Sequence, residues 1–126
     1  MNKQNASDLI CNVDYLLKSL KDRGYGNRER LFRKMIEEAG EYGEAIEYYN
    51  GATRKVKKFQ GKDAKEMLRE EISDLVMVGL ALASLDDLGI EDVLTRIKNK
   101  LERREEEHRR TAGLPEYIPE SLRRKE

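Results

Sequence analysis

Histidine, cysteine, proline and tryptophan are nearly missing from this chain. Its 126 residues include one His, one Cys, two Pro and no Trp. The lone cysteine, Cys11, excludes an intrachain disulfide and suits a reducing compartment. Cys11 and His108 do not form a ligand cluster, so a zinc site is not expected. A di-iron carboxylate centre needs Glu-x-x-His motifs from two helices. His108 lies in a charged run and follows no such motif. Net charge is also missing, because 25 basic residues balance 25 acidic ones. That balance removes the general argument for a nucleic-acid or anionic-membrane binder. No apolar run is long enough to span a bilayer. The first apolar stretch is interrupted by Asn12 and Asp14, which argues against a signal peptide. The expectation is a soluble, cytoplasmic protein of one domain with no membrane partner.

What is present is charge and helical periodicity. Charged residues make up 40% of the chain and hydrophobic ones 38%, which reads as long helices with charged outer faces. The apolar content is modest for a self-sufficient core, so a homo-oligomer, dimer or tetramer, is expected. A first helix runs from an N-cap at Ser7 to about Arg23, with Leu9, Val13, Leu16, Leu17 and Leu20 on one side. Asn27 caps a second helix through Leu31, Met35, Ala39, Tyr42, Ile46 and Tyr49, and Asn50-Gly51 ends it. The basic stretch Arg54, Lys55, Lys57, Lys58 suits a short helix before Gly61. Asp63 caps a third long helix carrying Met67, Leu75, Val78 and Leu82. After a turn at Asp86 to Gly89, a fourth carries Val93, Leu94, Ile97 and Leu101 into the charged segment Arg103 to Arg110. The fold class is all-α, a four-helix bundle over residues 1–110 with a flexible C-terminal tail, 111–126. That tail contains Pro115 and Pro119 and should be extended.

Two carboxylate clusters stand out against this pattern. One is Glu37-Glu38-Ala39-Gly40-Glu41 and the other is Glu70-Glu71-Ile72-Ser73-Asp74. At about 100° per residue, Glu38 and Glu41 share the arc of Leu31, Tyr42, Ala45 and Tyr49. Glu71 and Asp74 share the arc of Leu75, Val78 and Leu82. An acidic pair on a solvated face needs no explanation, but one on each of two core-facing stripes does. Ionised carboxylates are costly to bury without a neutralising partner. Two antiparallel helices about 8–10 Å apart would bring both pairs together around one site. Four carboxylates suit Mg²⁺, which prefers oxygen and often bridges protein carboxylates to substrate phosphates. Gly40 and Gly43 in the second helix and Gly79 in the third weaken their helices. They point to close backbone approach beside the acidic cluster.

The same residues carry a family resemblance. The ordered pattern EExxE…ExxD resembles that of the MazG-like all-α nucleotide pyrophosphohydrolases. KMIEEAGEYGEAIEYYNG is similar to the family's second helix. EEISDLVMVGLALASLDDLGIEDVLTRIKNKLERRE is similar to its third and fourth. The resemblance covers Leu31 to Arg104. It implies cleavage of the α–β phosphoanhydride of a (deoxy)nucleoside triphosphate, canonical or damaged, to a monophosphate and pyrophosphate. It implies Mg²⁺ as cofactor, with Mn²⁺ as the alternative, and assembly into dimers or tetramers. Position by position, Glu38, Glu41, Glu71 and Asp74 match the metal ligands. Glu37 would orient a water or ligand, and Glu38 or Glu41 could accept the water's proton. On the fourth helix Lys100, Arg103 and Arg104 fit the family's phosphate-binding basic positions. Lys98 falls where many members have asparagine, with Asn99 one step away. Tyr25, Tyr42, Tyr48 and Tyr49 are available as base platforms, although tyrosines at helical spacing more often serve a core or an interface.

Three alternatives remain beside this reading. One is a phosphoribosyl-ATP pyrophosphohydrolase-like enzyme, a related all-α family. Its usual Ser-Tyr-Thr segment before the acidic helix is missing here. Another is a non-catalytic helical scaffold or regulatory protein, which the full acidic set argues against. A nucleic-acid binder would rest on Arg103 to Arg110, but Glu105, Glu106 and Glu107 cancel much of that charge.

Overall fold

Six helices build the chain in a computed structural model that describes residues 5–24 and 26–123. Tyr25 lies outside the described residues. Four helices are long: α1 (Ala6–Asp22), α2 (Arg28–Tyr49), α4 (Ala64–Leu85) and α5 (Ile90–Ala112). Two are short: α3 (Thr53–Lys58) and α6 (Glu120–Arg123). Among the described residues there is no strand.

Side-chain caps set most of the helix starts. Asn27 Oδ1 accepts from the Arg30 N–H at 2.8 Å, and Asp63 Oδ1 accepts from the Glu66 N–H at 3.0 Å. Each satisfies a backbone donor that a helix start leaves without a partner. The cap of α1 is Asn5 rather than Ser7. Its Oδ1 accepts from the Asp8 N–H at 2.8 Å, which places Ser7 inside the first turn. Glycine ends three of the long helices. Gly24 follows α1 at φ +75°, Gly51 follows α2 at φ +80° and Gly113 follows α5 at φ +69°, a region that costs glycine little. The segment expected to be extended from Thr111 is helical to Ala112 and holds α6 near its end.

The chain divides into two compact units, one reaching to Ile90 and the other beginning at Glu91. In the first, α2 and α4 form the dominant packed pair, α1 lies on α4, and α3 lies on α2. The pair is antiparallel. The start of α2 meets the end of α4 through a bidentate Arg28–Asp86 ion pair at 2.7 and 2.9 Å. At the other end the Tyr48 hydroxyl donates to the Lys62 carbonyl. Asp14, on α1, accepts from the Ile90 N–H at 3.0 Å and so caps the start of α5. In the second unit, Arg109 donates to Glu105 and to the Pro115 carbonyl, tying the segment after Gly113 to α5.

The apolar core is small. Among the described residues only Leu17, Ala45 and Val78 are buried hydrophobics. The glycine expectation holds only in part. A Cβ at Gly79 would lie 3.8 Å from Met35 Cε, an ordinary contact across the α2–α4 seam. A Cβ at Gly40 or Gly43 would meet nothing within 4 Å, so no backbone from another element approaches them among the described residues. Replacing the true α1 cap, Asn5→Ala, should cost about 1 kcal/mol. Ser7→Ala should cost far less, and urea denaturation of the two variants reads the difference.

Candidate metal centre

Helical spacing delivers the carboxylates to the α2–α4 seam. Glu38 sits one turn from Tyr42 and two from Ala45, on the side of α2 that faces α4. Glu71 and Asp74 lie one turn apart on α4, with Val78 one turn beyond. Because the helices run antiparallel, the two acidic segments meet. One oxygen from each of Glu38, Glu71 and Asp74 falls within 4.8 Å of the others.

Burial makes this triad unusual. Glu38 is 6% exposed, and Glu71 and Asp74 are half-buried. Glu38 Oε1 pairs with Lys34 Nζ at 3.1 Å, one turn earlier on α2. Glu38 Oε2 and Glu71 Oε2 are buried and accept no hydrogen bond among the described residues. An orphaned buried acceptor costs about 1–3 kcal/mol, and more when it is charged. Carboxylates gathered this closely also repel one another. A hard divalent cation with oxygen preference would satisfy both at once. The donor set is all carboxylate, so the residues present fit Mg²⁺ or Mn²⁺ and do not fit a thiolate- or imidazole-preferring metal.

The remaining acidic candidates sit around the triad. Glu41, expected on the core-facing arc, is exposed at its edge. Its position matches its spacing, since residues three apart on a helix are offset by about 60°. The Glu38 charge pushes the Glu41 carboxyl above the ordinary carboxylate range, and desolvation and the nearby Glu71 add to the effect. Glu37 points away from the seam, exposed, with Lys34 Nζ 3.6 Å from its carboxylate. Ser73, between Glu71 and Asp74, donates to its own helix at the Arg69 carbonyl, 2.7 Å away.

Lysines supply the opposite charge. Lys34 is held more firmly protonated by its hydrogen bond to Glu38 and by the charge of Glu37. Patterning had not singled it out, although its three- and four-residue spacing to those acids is legible in the sequence. Lys58 donates to Glu44 at 2.8 Å, and Lys55 lies 3.5 Å from the same carboxylate. Together they hold Glu44 below the ordinary carboxylate range, with the Lys58 hydrogen bond the larger cause. The basic candidates of the fourth helix lie on α5, in the second unit. There Lys98 pairs with Glu102 at 2.7 Å, whereas Lys100, Arg103 and Arg104 are exposed without ion pairs among the described residues. Tyr42 and Tyr48 are half-buried and Tyr49 is exposed.

The crowding of these acids has a thermodynamic consequence. A carboxyl whose folded pKa lies above its unfolded value of 4.5 favours folding below that pH. The contribution is lost as pH rises through the raised value. In EDTA, wild-type stability should therefore fall relative to Glu41→Gln as pH rises above 4.5, and added Mg²⁺ should remove the loss. Replacing Glu71 and Asp74 by Gln and Asn should raise metal-free stability, since repulsion falls, and should abolish any Mg²⁺-induced rise in Tm. Ligand at 100 times its Kd contributes about 2.7 kcal/mol to a native state that alone binds it. Thermal melts with and without Mg²⁺ read both effects.

Comparison with known proteins adds one finding. The family model of the MazG nucleotide pyrophosphohydrolase domain matches residues 27–109, a span that contains α2, α3, α4 and most of α5. Searches of curated proteins and of solved structures each returned no match.

Proposed function

The chain belongs to the MazG nucleotide pyrophosphohydrolase family, and on that premise we propose that it is a Mg²⁺-dependent nucleoside triphosphate pyrophosphatase. Its substrate is a canonical or deoxynucleoside triphosphate, cleaved between the α and β phosphates to a monophosphate and pyrophosphate. One observation carries this reading. Glu38 is buried in the helix seam with an oxygen that accepts no hydrogen bond among the described residues, and Glu71, whose carboxylate comes within 4.8 Å, holds a second such oxygen. A scaffold that had abandoned catalysis would have no reason to keep that cost.

Glu38, Glu71 and Asp74 would hold the ion, with Glu41 at its open side. Bound there, Mg²⁺ supplies charge neutralisation for the triphosphate and a lowered pKa for bound water. The protein's own groups do the rest. Lys34 fixes one oxygen of Glu38, leaving the other without a hydrogen bond among the described residues. Glu41 is exposed, and its neighbours raise its affinity for a proton, which suits it to accept one from the attacking water. Glu37 would orient a water or ligand at the rim. Lys98, Lys100, Arg103 and Arg104 are the phosphate-binding candidates of α5.

The functional unit is proposed to be a homodimer or homotetramer. Residues Leu75 to Leu85 of α4 form an eleven-residue run without a charge, apolar on every side. A helix apolar all round belongs in an interior, yet Val76 and Met77 are each 54% exposed. On α2, Phe32, Ile36 and Ile46 form a second exposed apolar stripe, with Ala39 and Gly43 between them. A second copy of the chain is the partner always present to cover such surfaces. No helix among the described residues is long and apolar enough to cross a membrane. The exposed free thiol of Cys11 suits a cytoplasmic setting.

Pyrophosphate release measured across a panel of nucleoside triphosphates with Mg²⁺ tests the activity. Glu38→Gln, Glu71→Gln and Asp74→Asn should each lower it by at least about tenfold to a hundredfold, the scale for weakened metal support. Glu47→Gln, whose carboxylate lies against Lys55, should leave it near wild type. Full activity in all three ligand variants would refute the site. For assembly, sedimentation at micromolar concentration should give a dimer or tetramer, and an active monomer would refute that part.

A further inference from the structure

A cavity of about 360 Å³ adjoins the acidic cluster on the side of α3. Glu41 and Glu71 form one wall, and Lys58, Phe59 and Lys62 form another, with Glu44 between them. The family assignment gives no role to these basic and aromatic residues. Their arrangement is built, not incidental. Gly61, at φ +85°, reverses the chain after α3, and the Lys62 N–H donates to the Phe59 carbonyl at 3.0 Å. The Tyr48 hydroxyl then fastens the Lys62 carbonyl to α2. The Tyr48 and Phe59 rings lie 5.6 Å apart between centroids, inside the range of favourable tilted pairs. The ammonium groups of Lys58 and Lys62 sit 5.1 and 5.5 Å from the centre of the Phe59 ring. At that distance the ring attracts both cations and keeps them at the cavity wall. Lys58 is neutralised by Glu44. Lys62 has no ion pair among the described residues, so its charge is available to a ligand.

We propose that Lys62, seated on Phe59, binds the β- and γ-phosphates of the substrate and so holds the departing pyrophosphate. This assignment rests on the reading of the acidic cluster as a pyrophosphohydrolase centre and names the group that receives its leaving group. In that reaction the water oxygen bonds to the α-phosphorus and the water proton passes to a carboxylate of the cluster. The bond from the α-phosphorus to the bridging oxygen breaks, and its electron pair leaves on pyrophosphate. Negative charge therefore grows on the β-phosphate. Carboxylates surround the α-phosphorus and would repel that charge. Lys62 supplies the compensating cation within the same cavity. Phe59 is a positioning residue. Its π-system already serves two ammonium groups, which makes it a cation seat rather than a platform for the base.

The test separates leaving-group affinity from the rest of the reaction. The probes are inorganic pyrophosphate and the nucleoside monophosphate product, each with Mg²⁺. They are measured by calorimetric titration and as inhibitors of turnover. Lys62→Ala should weaken pyrophosphate by about tenfold or more, the scale of a charged hydrogen bond. It should leave monophosphate affinity unchanged, and Lys62→Arg should restore most of the loss. Phe59→Leu should weaken pyrophosphate in the same direction and leave base preference alone. Lys62→Ala binding pyrophosphate like an active wild type would overturn the assignment while leaving the proposed function intact. A Phe59→Leu variant with altered base preference and normal pyrophosphate affinity would also overturn it, since the ring would then face the base. A wild type that neither releases pyrophosphate from any nucleotide nor binds it would end both proposals together.

Discussion

Glu38 is the side chain on which the rest of this structure depends. It is a carboxylate placed in the seam between two antiparallel helices, and the protein satisfies only one of its oxygens. Burying a charge is tolerable only when something pairs with it. Lys34 pairs with one oxygen from one helical turn away. The other accepts no hydrogen bond among the described residues, and the Glu71 and Asp74 carboxylates come within 4.8 Å. A cation bound there would offset that cost. Conflict between local burial and local chemistry marks functional sites, because a sequence selected only for stability would remove it.

The surrounding architecture serves that seam. Caps at Asn27 and Asp63 start α2 and α4, and the Arg28–Asp86 pair joins the start of α2 to the end of α4, so that helical spacing translates into a fixed meeting of acids. Opposite charge is distributed around them by rank of contact. Lys34 touches the triad directly, Lys55 and Lys58 neutralise Glu44, and Lys62 remains uncommitted on its aromatic seat. In the proposed reaction, a triphosphate would meet acids that a metal ion could bridge and a lysine free to take an anion. Sparse apolar burial among the described residues, the uncharged length of α4 and the stripe on α2 are the observations behind the proposed assembly.

Much of this was legible from residue order. The four long helices followed from apolar spacing, and the caps at Asn27 and Asp63 followed from residue type next to a periodic run. The short basic helix after Gly51 was legible from composition. The cap of α1 was misread because Asn5 and Ser7 are both good caps two residues apart, and only the geometry chooses between them. Gly40 and Gly43 carry the sequence signal of close approach, but no neighbour among the described residues comes near them. Spacing tells which face a glycine occupies and cannot tell what lies opposite. Lys34 escaped notice because a lysine four residues before a glutamate is ordinary on a solvated helix. It becomes informative only once that glutamate is known to be buried.

The sequence by itself determined the helical class, the pairing of acids on two apolar stripes and the oxygen-rich character of any metal site. These are local properties, set by a 3.6-residue repeat and by side-chain chemistry. Tertiary structure decided how the acids differ. Glu38, Glu71 and Asp74 converge, while Glu41 is left at the edge, because packing angle and helix offset, not spacing, set the depth of each residue in the seam. It also decided that Phe59 and Lys62 face the same cavity as Glu41 and Glu71. That neighbourhood depends on a left-handed turn at Gly61 and a hydroxyl bridge from Tyr48, neither of which leaves a periodic signal in the chain.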